Sequence, residues 1–321
     1  MDLVGEHWNP FLTRSRALII ANPRSGGGAT GRRLPRILDL GRRLFDEIDM
    51  VTTRESGHAV RLAEAAAGEG CSPVIAVGGD GTISQVVDGL VRAGGGARAS
   101  AELGIVPSGT GGDLVRTLGI SRSSERAMLG IASGRREKID AVRIRFETDD
   151  GTTIVRHCVN VADAGLGGET VKYVESMKSL PGTVAYLAGS IVAIARHHPQ
   201  RVQIDLNHGA ERHEIDAGVV AVANCRYFGG GMQIAARADP SDGELDFVAI
   251  GHCPPLEAFG LLMKIYRGSA LDDPRVLWRR ATHIRLDSPG GSNVLLDVDG
   301  EQPGRLPATF DVLPGALTLR I

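Results

Sequence analysis

The sequence predicts a chain of two characters, an α/β part built on a parallel sheet followed by an antiparallel, β-rich part. Three observations carry that reading. Short apolar runs alternate with segments of helical period through the first third of the chain. Three of those runs end in clusters of glycine. From about Lys138 the pattern changes to short, partly alternating runs separated by turn residues.

The elements follow in order. Ala17 to Ala21 reads as the first strand, with a helix around Arg32 to Glu47 and another from Gly57 to Ala67. Val74 to Val77 is the next strand, and Ile83, Val86, Val87 and Leu90 behind it repeat at helical spacing. Leu103 to Val106 is the last strand of this part. Such alternation implies a parallel sheet with helices on both faces, which binds ligands at the carboxyl ends of its strands. "ANPRSGGG" (21–28), "VGGDGT" (77–82) and "PSGTGGD" (107–113) all lie at that end, so three loops can converge on one ligand. Beyond Lys138, "AVRIRF", "TIVRHCVNVA", "RVQIDLNH", "GVVAVAN", "LDFVAI", "HIRLD" and "NVLLDVDG" read as strands. Helices interrupt them near Glu169 to Ser179, Val184 to Arg196 and Pro255 to Arg267.

Composition narrows the class of function. The 321 residues suit two domains, and 36 Lys plus Arg nearly balance 38 Asp plus Glu. No strong field draws nucleic acid or an anionic membrane. The apolar run near the start is too short for a signal peptide, and no stretch is long enough to span a bilayer, which points to the cytoplasm. Cys71, Cys158, Cys225 and Cys253 are scattered without a CxxC and read as reduced thiols.

The glycine clusters need a reason, because ordering a glycine costs more entropy than ordering any other residue. One reading is a set of tight turns. The other is a phosphate held by backbone NH groups at a helix start. Asp80 favours the second reading only with a cation, since a carboxylate beside a phosphate repels it unless Mg²⁺ lies between them. A Walker loop is excluded by the absence of any Gly-Lys pair, and a GxGxxG turn by Ser84.

"VGGDGTISQVVDGL" resembles the GGDGT motif of diacylglycerol kinase-like lipid kinases, sphingosine kinases and NAD kinases. Further blocks in order resemble the bacterial diacylglycerol kinase-like lipid kinases: "NPRSGGG", "TRESGHA", "VPSGTGGDLVRTLGI", "NCRYFGGGMQIAARADPSDGELD" and "DVDGEQPG". The resemblance implies an α/β nucleotide-binding domain over 1–137, to which 307–321 returns, and a β-sandwich lipid domain over 138–306, with the active site in the cleft between them. It implies ATP contacts at Asn22, Pro23, Arg24, Ser25, Gly26, Thr53, Gly79, Asp80, Gly81, Thr82, Ile83, Ser84, Gln85 and Thr110. It also implies a structural Mg²⁺ held by the Asp242 carboxylate with the carbonyls of Asp239 and Glu244, and Glu301 as catalytic base beside Asp80. Without the resemblance, Asp242 reads as an ordinary turn aspartate and Glu301 as a solvated hairpin residue. The family has Asn-Glu where this chain has Ser84 and Gln85, and Asn where it has Gly112, changes that bear on nucleotide affinity more than on the fold.

The expected activity is therefore Mg²⁺-dependent transfer of the γ-phosphate of ATP to a diacylglycerol-like lipid taken from a membrane surface. The protein would be cytoplasmic and transiently membrane-associated, with no nucleic-acid partner and a homodimer as one assembly open to it. An NAD kinase-like activity on a soluble dinucleotide and an inactive nucleotide- or lipid-binding regulator are the alternatives. "PGTVAYLAGSIVAIA" (181–195) is the best candidate for an apolar acyl path, though its pattern favours a core-packing helix, which looks the same.

Overall fold

A computed structural model describes residues 16–109, 111–148, 150–165, 189, 192, 199–289 and 294–321. The first part runs β1 (Arg16–Ala21), α1 (Ala29–Leu44), β2 (Glu47–Thr52), α2 (His58–Gly68), β3 (Val74–Gly78), α3 (Asp80–Ala93) and β4 (Leu103–Pro107). Its strands are parallel in the order β2-β1-β3-β4. Side chains alternate across a strand, so β1 feeds two cores. Leu18 and Ile20 pack with Ala63, Val86 and Leu90 from α2 and α3, while Ala17 and Ile19 pack with Leu34 and Ile37 of α1 on the other face. α4 (Asp113–Thr117) and α5 (Ser124–Ser133) follow, and Met128 and Ile131 of α5 join the α1 side.

The helix expected to run to Glu47 stops at Leu44. Phe45 is extended, with φ −125° and ψ 143°, and Glu47–Thr52 pairs with β1 as an edge strand instead. Strand pairing overrides a helical reading of a segment whose exposed positions are polar on either interpretation.

The second part comprises β5 (Arg136–Glu147), β6 (Thr153–Cys158), β7 (Val161–Gly165), β8 (Gln200–Leu206), β9 (Glu211–Ala223), β10 (Leu245–Gly251), α6 (Pro255–Arg267), β11 (Val276–Ala281), β12 (His283–Asp287), β13 (Leu295–Val298) and β14 (Glu301–Arg320). The expected run "TIVRHCVNVA" is two strands, broken at Val159 and Asn160. β2, β11 and most of β14 had no counterpart among the expected strands. Phe247 of β10 faces Phe146, Ile284 and Phe310, whereas its neighbours Val248 and Ile250 face Leu261 and Ile265 of α6. The helices expected near 169–179 and 184–196, and the apolar path at 181–195, lie outside the described residues but for Gly189 and Val192. Cys71, Cys158 and Cys225 are buried free thiols and Cys253 is half-buried. No described helix is long and apolar enough to cross a membrane.

Among the contacts that join the parts, two are central. β14 runs antiparallel to β5 and ends parallel to β4, with Leu319 opposite Leu103. On α3, the buried Asp88 accepts from the backbone NH of His157 at 3.0 Å, lies 2.9 Å from His157 Nδ1, and pairs with Arg92 at 2.8 Å. Burial works against the Asp88 charge, but His157 and Arg92 outweigh it and hold the carboxyl below its usual range.

β7 and β13 place Asp163 directly opposite Asp297, both almost wholly buried. Burial raises both carboxyls, and the charge of Asp163 pushes Asp297 further in the same direction. Asp297 also accepts from the NH of Gly300 at 2.7 Å, so the pair anchors the turn that leads into β14. Retention of one proton relieves the repulsion between neighbouring acids of this kind.

Two expectations follow. A Cβ at Gly89 would lie 2.3 Å from the Val60 carbonyl oxygen, so Gly89→Ala forces α2 and α3 apart at a cost of about 1–3 kcal/mol. Thermal melting should show a fall of several degrees; an unchanged Tm would mean the helices do not approach this closely. The acid pair makes stability pH-dependent. An unfolded carboxyl releases its proton near pH 4, whereas the folded pair keeps one to higher pH, so unfolding releases a proton in between and stability falls as pH rises through that window. The slope is up to about 1.4 kcal/mol per pH unit for one proton. Asp163→Asn supplies a permanent donor to Asp297 and should shrink the Tm difference between pH 5.5 and 8; an equal difference in both proteins would sink the shared proton.

Candidate active site

The carboxyl ends of β1, β3 and β4 meet, as parallel-sheet geometry requires. Asn22 donates its NH to the Val77 carbonyl at 2.9 Å, and Ser108 donates its NH to the Gly78 carbonyl at 2.7 Å, lacing the three loops together. A Cβ at Gly109 would sit 2.4 Å from Cα of Gly79, and one at Gly78 would sit 2.6 Å from the Thr82 hydroxyl. These glycines are therefore required by chain packing on chain, whatever ligand is present. Thr30 of α1 adds a buried clamp, donating to the Ser108 carbonyl at 2.6 Å.

The loops surround a cavity of about 200 Å³ lined by Gly79, Asp80, Ser108, Gly112, Arg33 and Arg122 among others. It opens at the first turn of α3, where backbone NH groups have no intrahelical partner. Asp80, the first residue of that helix, accepts through Oδ2 from the NH of Gly112 at 2.8 Å and of Asp113 at 3.3 Å. Its Oδ1 is buried and has no hydrogen-bond partner. That orphaned oxygen beside an anion-shaped cavity fits a divalent cation completed by phosphate oxygens.

The other expected nucleotide residues are distributed around this core. Asn22 donates to the Thr82 hydroxyl at 3.2 Å and accepts from the NH of Arg24 at 3.0 Å, which orders the 22–28 loop over α3. A Cβ at Gly26 would lie 3.1 Å from the Ser108 carbonyl oxygen, so the loop holding Pro23, Ser25 and Gly26 rests on the third loop. Thr53 follows β2 and donates its NH to the Ala21 carbonyl. Gly81 and Thr82 lie in the first turn of α3, and Ile83 is a core residue that also forms part of the cavity wall. Thr110 lies outside the described residues.

Ser84 and Gln85 face the second part of the chain rather than the cavity. Gln85 donates through Nε2 to Glu301 Oε1 at 2.9 Å, and Arg156 of β6 donates to Glu301 Oε2 at the same distance. Glu301, the first residue of β14, is thus held from both sides, by Arg156 of β6 and by Gln85, which lies five residues and about 7.5 Å along the helix that Asp80 begins. Asp299, in a left-handed conformation at φ 52°, completes the turn. Burial pushes its carboxyl up to about 7, the Ser84 hydroxyl pulls it down, and Asp80 adds repulsion.

Two buried aspartates with structural work here escaped the sequence reading. Asp113 accepts from the NH of Gly230 at 2.7 Å, tying the third loop to the "FGGG" turn; burial raises its carboxyl, the Gly230 bond opposes this, and Asp80 adds to it. Asp140 accepts from the NH of Gly243 at 2.8 Å and of Gly315 at 2.6 Å. Only the position of Asp113 inside "PSGTGGD" could have flagged it; Asp140 sits in an ordinary strand pattern.

Asp140 also bears on the expected structural cation. The loop carrying Asp239, Asp242 and Glu244 is pinned by Asp140 through Gly243, by Asp242 accepting from the Glu244 NH at 3.0 Å, and by Asp239 accepting from Ser241. The free Asp242 oxygen pairs with Arg280, which also reaches Glu244 at 2.8 Å. A guanidinium stands where the cation was expected. This donor set, as placed, does not fit a metal, and among the described residues no group of three or more His, Cys, Asp or Glu is arranged to hold one.

Comparison with known proteins agrees with this arrangement. Residues 16–144 match the diacylglycerol kinase catalytic domain, and residues 160–321 match the YegS C-terminal NAD kinase beta sandwich-like domain. A diacylglycerol kinase of Mycobacterium tuberculosis is 29% identical over 300 residues, covering 93% of this chain and 92% of the relative. Lipid kinase YegS of Escherichia coli K12 is 28% identical over 277 residues, covering 85% and 86%. Among solved structures, a diacylglycerol kinase from Bacillus anthracis superposes with a TM-score of 0.76 at 22% identity, over 95% of this chain and 96% of that one. Yeast NADH kinase shares the fold more distantly, with a TM-score of 0.50 at 14% identity over 96% and 83%. With both halves matched in order, the chain belongs to the diacylglycerol kinase-like family of lipid kinases.

Proposed function

We propose that this protein transfers the γ-phosphate of ATP to the hydroxyl of a diacylglycerol-like lipid. The observation that carries the proposal is the placement of Glu301. It is hydrogen-bonded to Gln85 on the helix whose first residue, Asp80, borders the glycine-loop cavity. A carboxylate held beside that helix but outside the cavity lining is suited to take a proton from an incoming hydroxyl rather than to bind the nucleotide.

The nucleotide phosphates lie against the NH groups of the α3 start and the two neighbouring loops. Asp80 Oδ1 and phosphate oxygens would hold Mg²⁺, whose charge would offset the negative charge building on the transferred group. Glu301 accepts the proton of the lipid hydroxyl as that oxygen bonds to the γ-phosphorus and the bond to the β,γ-bridging oxygen breaks, leaving ADP. Arg156 and Gln85 fix the Glu301 carboxylate so that little reorganisation is needed at the moment of transfer. Positioning and charge neutralisation carry most of such a reaction, so few side chains need act chemically. Gln85 suits this role because a glutamate there would set a second carboxylate against Glu301.

The test is incubation with γ-labelled ATP, Mg²⁺ and a lipid extract, with NAD in a parallel reaction, and mass identification of the product. Label in a lipid monoester supports the proposal; label in NAD alone, or in neither, overturns it. Glu301→Gln keeps the side-chain shape and both neighbours but removes the base. General-base catalysis contributes about 10²- to 10⁴-fold, so kcat should fall by that range while ATP affinity, read by calorimetry, holds. A variant with wild-type single-turnover rates would reduce Glu301 to a turn residue.

A further inference from the structure

The cavity sets an electrostatic problem. A nucleoside triphosphate is strongly anionic, and it must enter beside the Asp80 carboxylate with Asp113 close behind. Among the described residues that line the cavity there is no lysine, and the cations are Arg33 and Arg122. Arg33 belongs to α1. Arg122 lies between α4 and α5, and its guanidinium donates to the Gly111 carbonyl.

Gly112 explains how Arg122 reaches that position. The residue is left-handed at φ +76°, and a Cβ there would lie 2.6 Å from Arg122 Nη2 and 3.2 Å from its Cζ. The guanidinium therefore occupies the space that a side chain at 112 would fill. The empty position at 112 and the arginine that fills it act as one unit in space. Among the described residues no carboxylate ion-pairs with Arg122 at contact distance, although its charge is felt by Asp113. One donor is spent on Gly111, and Arg122 lines the cavity with further N–H groups to offer.

We propose that Arg122 is a polyphosphate-binding residue of this protein, supplying over the glycine loops the positive charge that their backbone cannot, in the volume vacated at Gly112. The proposal rests on the kinase reading above and adds to it a determinant of nucleotide affinity. A planar guanidinium can engage two phosphate oxygens at once, which a compact ammonium cannot do.

Calorimetry with ATP and with inorganic triphosphate tests this on the full chain, with melting curves to confirm folding. Arg122→Gln should weaken both ligands by about ten- to a hundredfold, the range for a hydrogen bond to a charged group. Gly112→Asn is tolerated by a left-handed backbone and should push the flexible end of Arg122 aside. In the Gly112→Asn background, Arg122→Gln should then cost little more, because both changes evict the same group. Unchanged binding by Arg122→Gln, or an undiminished cost in the Gly112→Asn background, overturns the proposal while leaving the kinase reading intact. Wild-type protein that binds neither ATP nor triphosphate overturns both.

Discussion

One strand sets the relation between the chemistry and the scaffold. β14 begins at Glu301, pairs in turn with β13, β12 and β5, and finishes beside β4, whose far end runs into the Ser108 loop. Backbone hydrogen bonds along twenty residues fix the distance from the candidate base to the parallel sheet. A base on a free loop would have to be ordered at each turnover, at a cost of about 1–2 kcal/mol per residue. Here folding orders it once, and the buried Asp163–Asp297 pair holds the turn from which it starts.

The second constraint is charge. Asp80, Asp113, Asp299 and Glu301 gather around one helix start, and bringing carboxylates together out of water is costly unless each is neutralised, hydrogen-bonded or protonated. The structure uses all three devices. Glu301 has Arg156, Asp113 has the Gly230 NH, and Asp299 is pushed toward the protonated form. Asp80 keeps one oxygen bonded and one bare, as Asp113 does, and both oxygens of Asp299 are buried without a hydrogen-bond partner. Of these aspartates, Asp80 is the one that lines the glycine-loop cavity.

The contrast between Asp80 and Asp242 shows why residue type alone does not define a metal site. Both are aspartates in glycine-containing turns. Asp80 faces a cavity, whereas Asp242 faces Arg280 from β11, a strand that the sequence pattern did not single out. The nearest opposite charge decides what a carboxylate can bind, and that neighbour comes from 38 residues away.

Much of the architecture was legible from local pattern. The apolar runs of β1, β3 and β4, the period of α3 and the three glycine loops all depend on residues within a turn or two of one another, and they lie within a residue or two of where period and turn chemistry put them. The family blocks likewise marked Asp80 and Glu301. What the sequence could not state was pairing across distance: that Phe45 leaves the helix because β1 needs an edge partner, that Gln85 meets Glu301, that Asp140 anchors a loop a hundred residues away, and that Gly112 makes room for Arg122. Periodicity and turn preference are properties of neighbours along the chain, so the sequence determined the elements and the loops between them. Which charge faces which is set by the sheet register and by close backbone approach, and those exist only once the chain has packed.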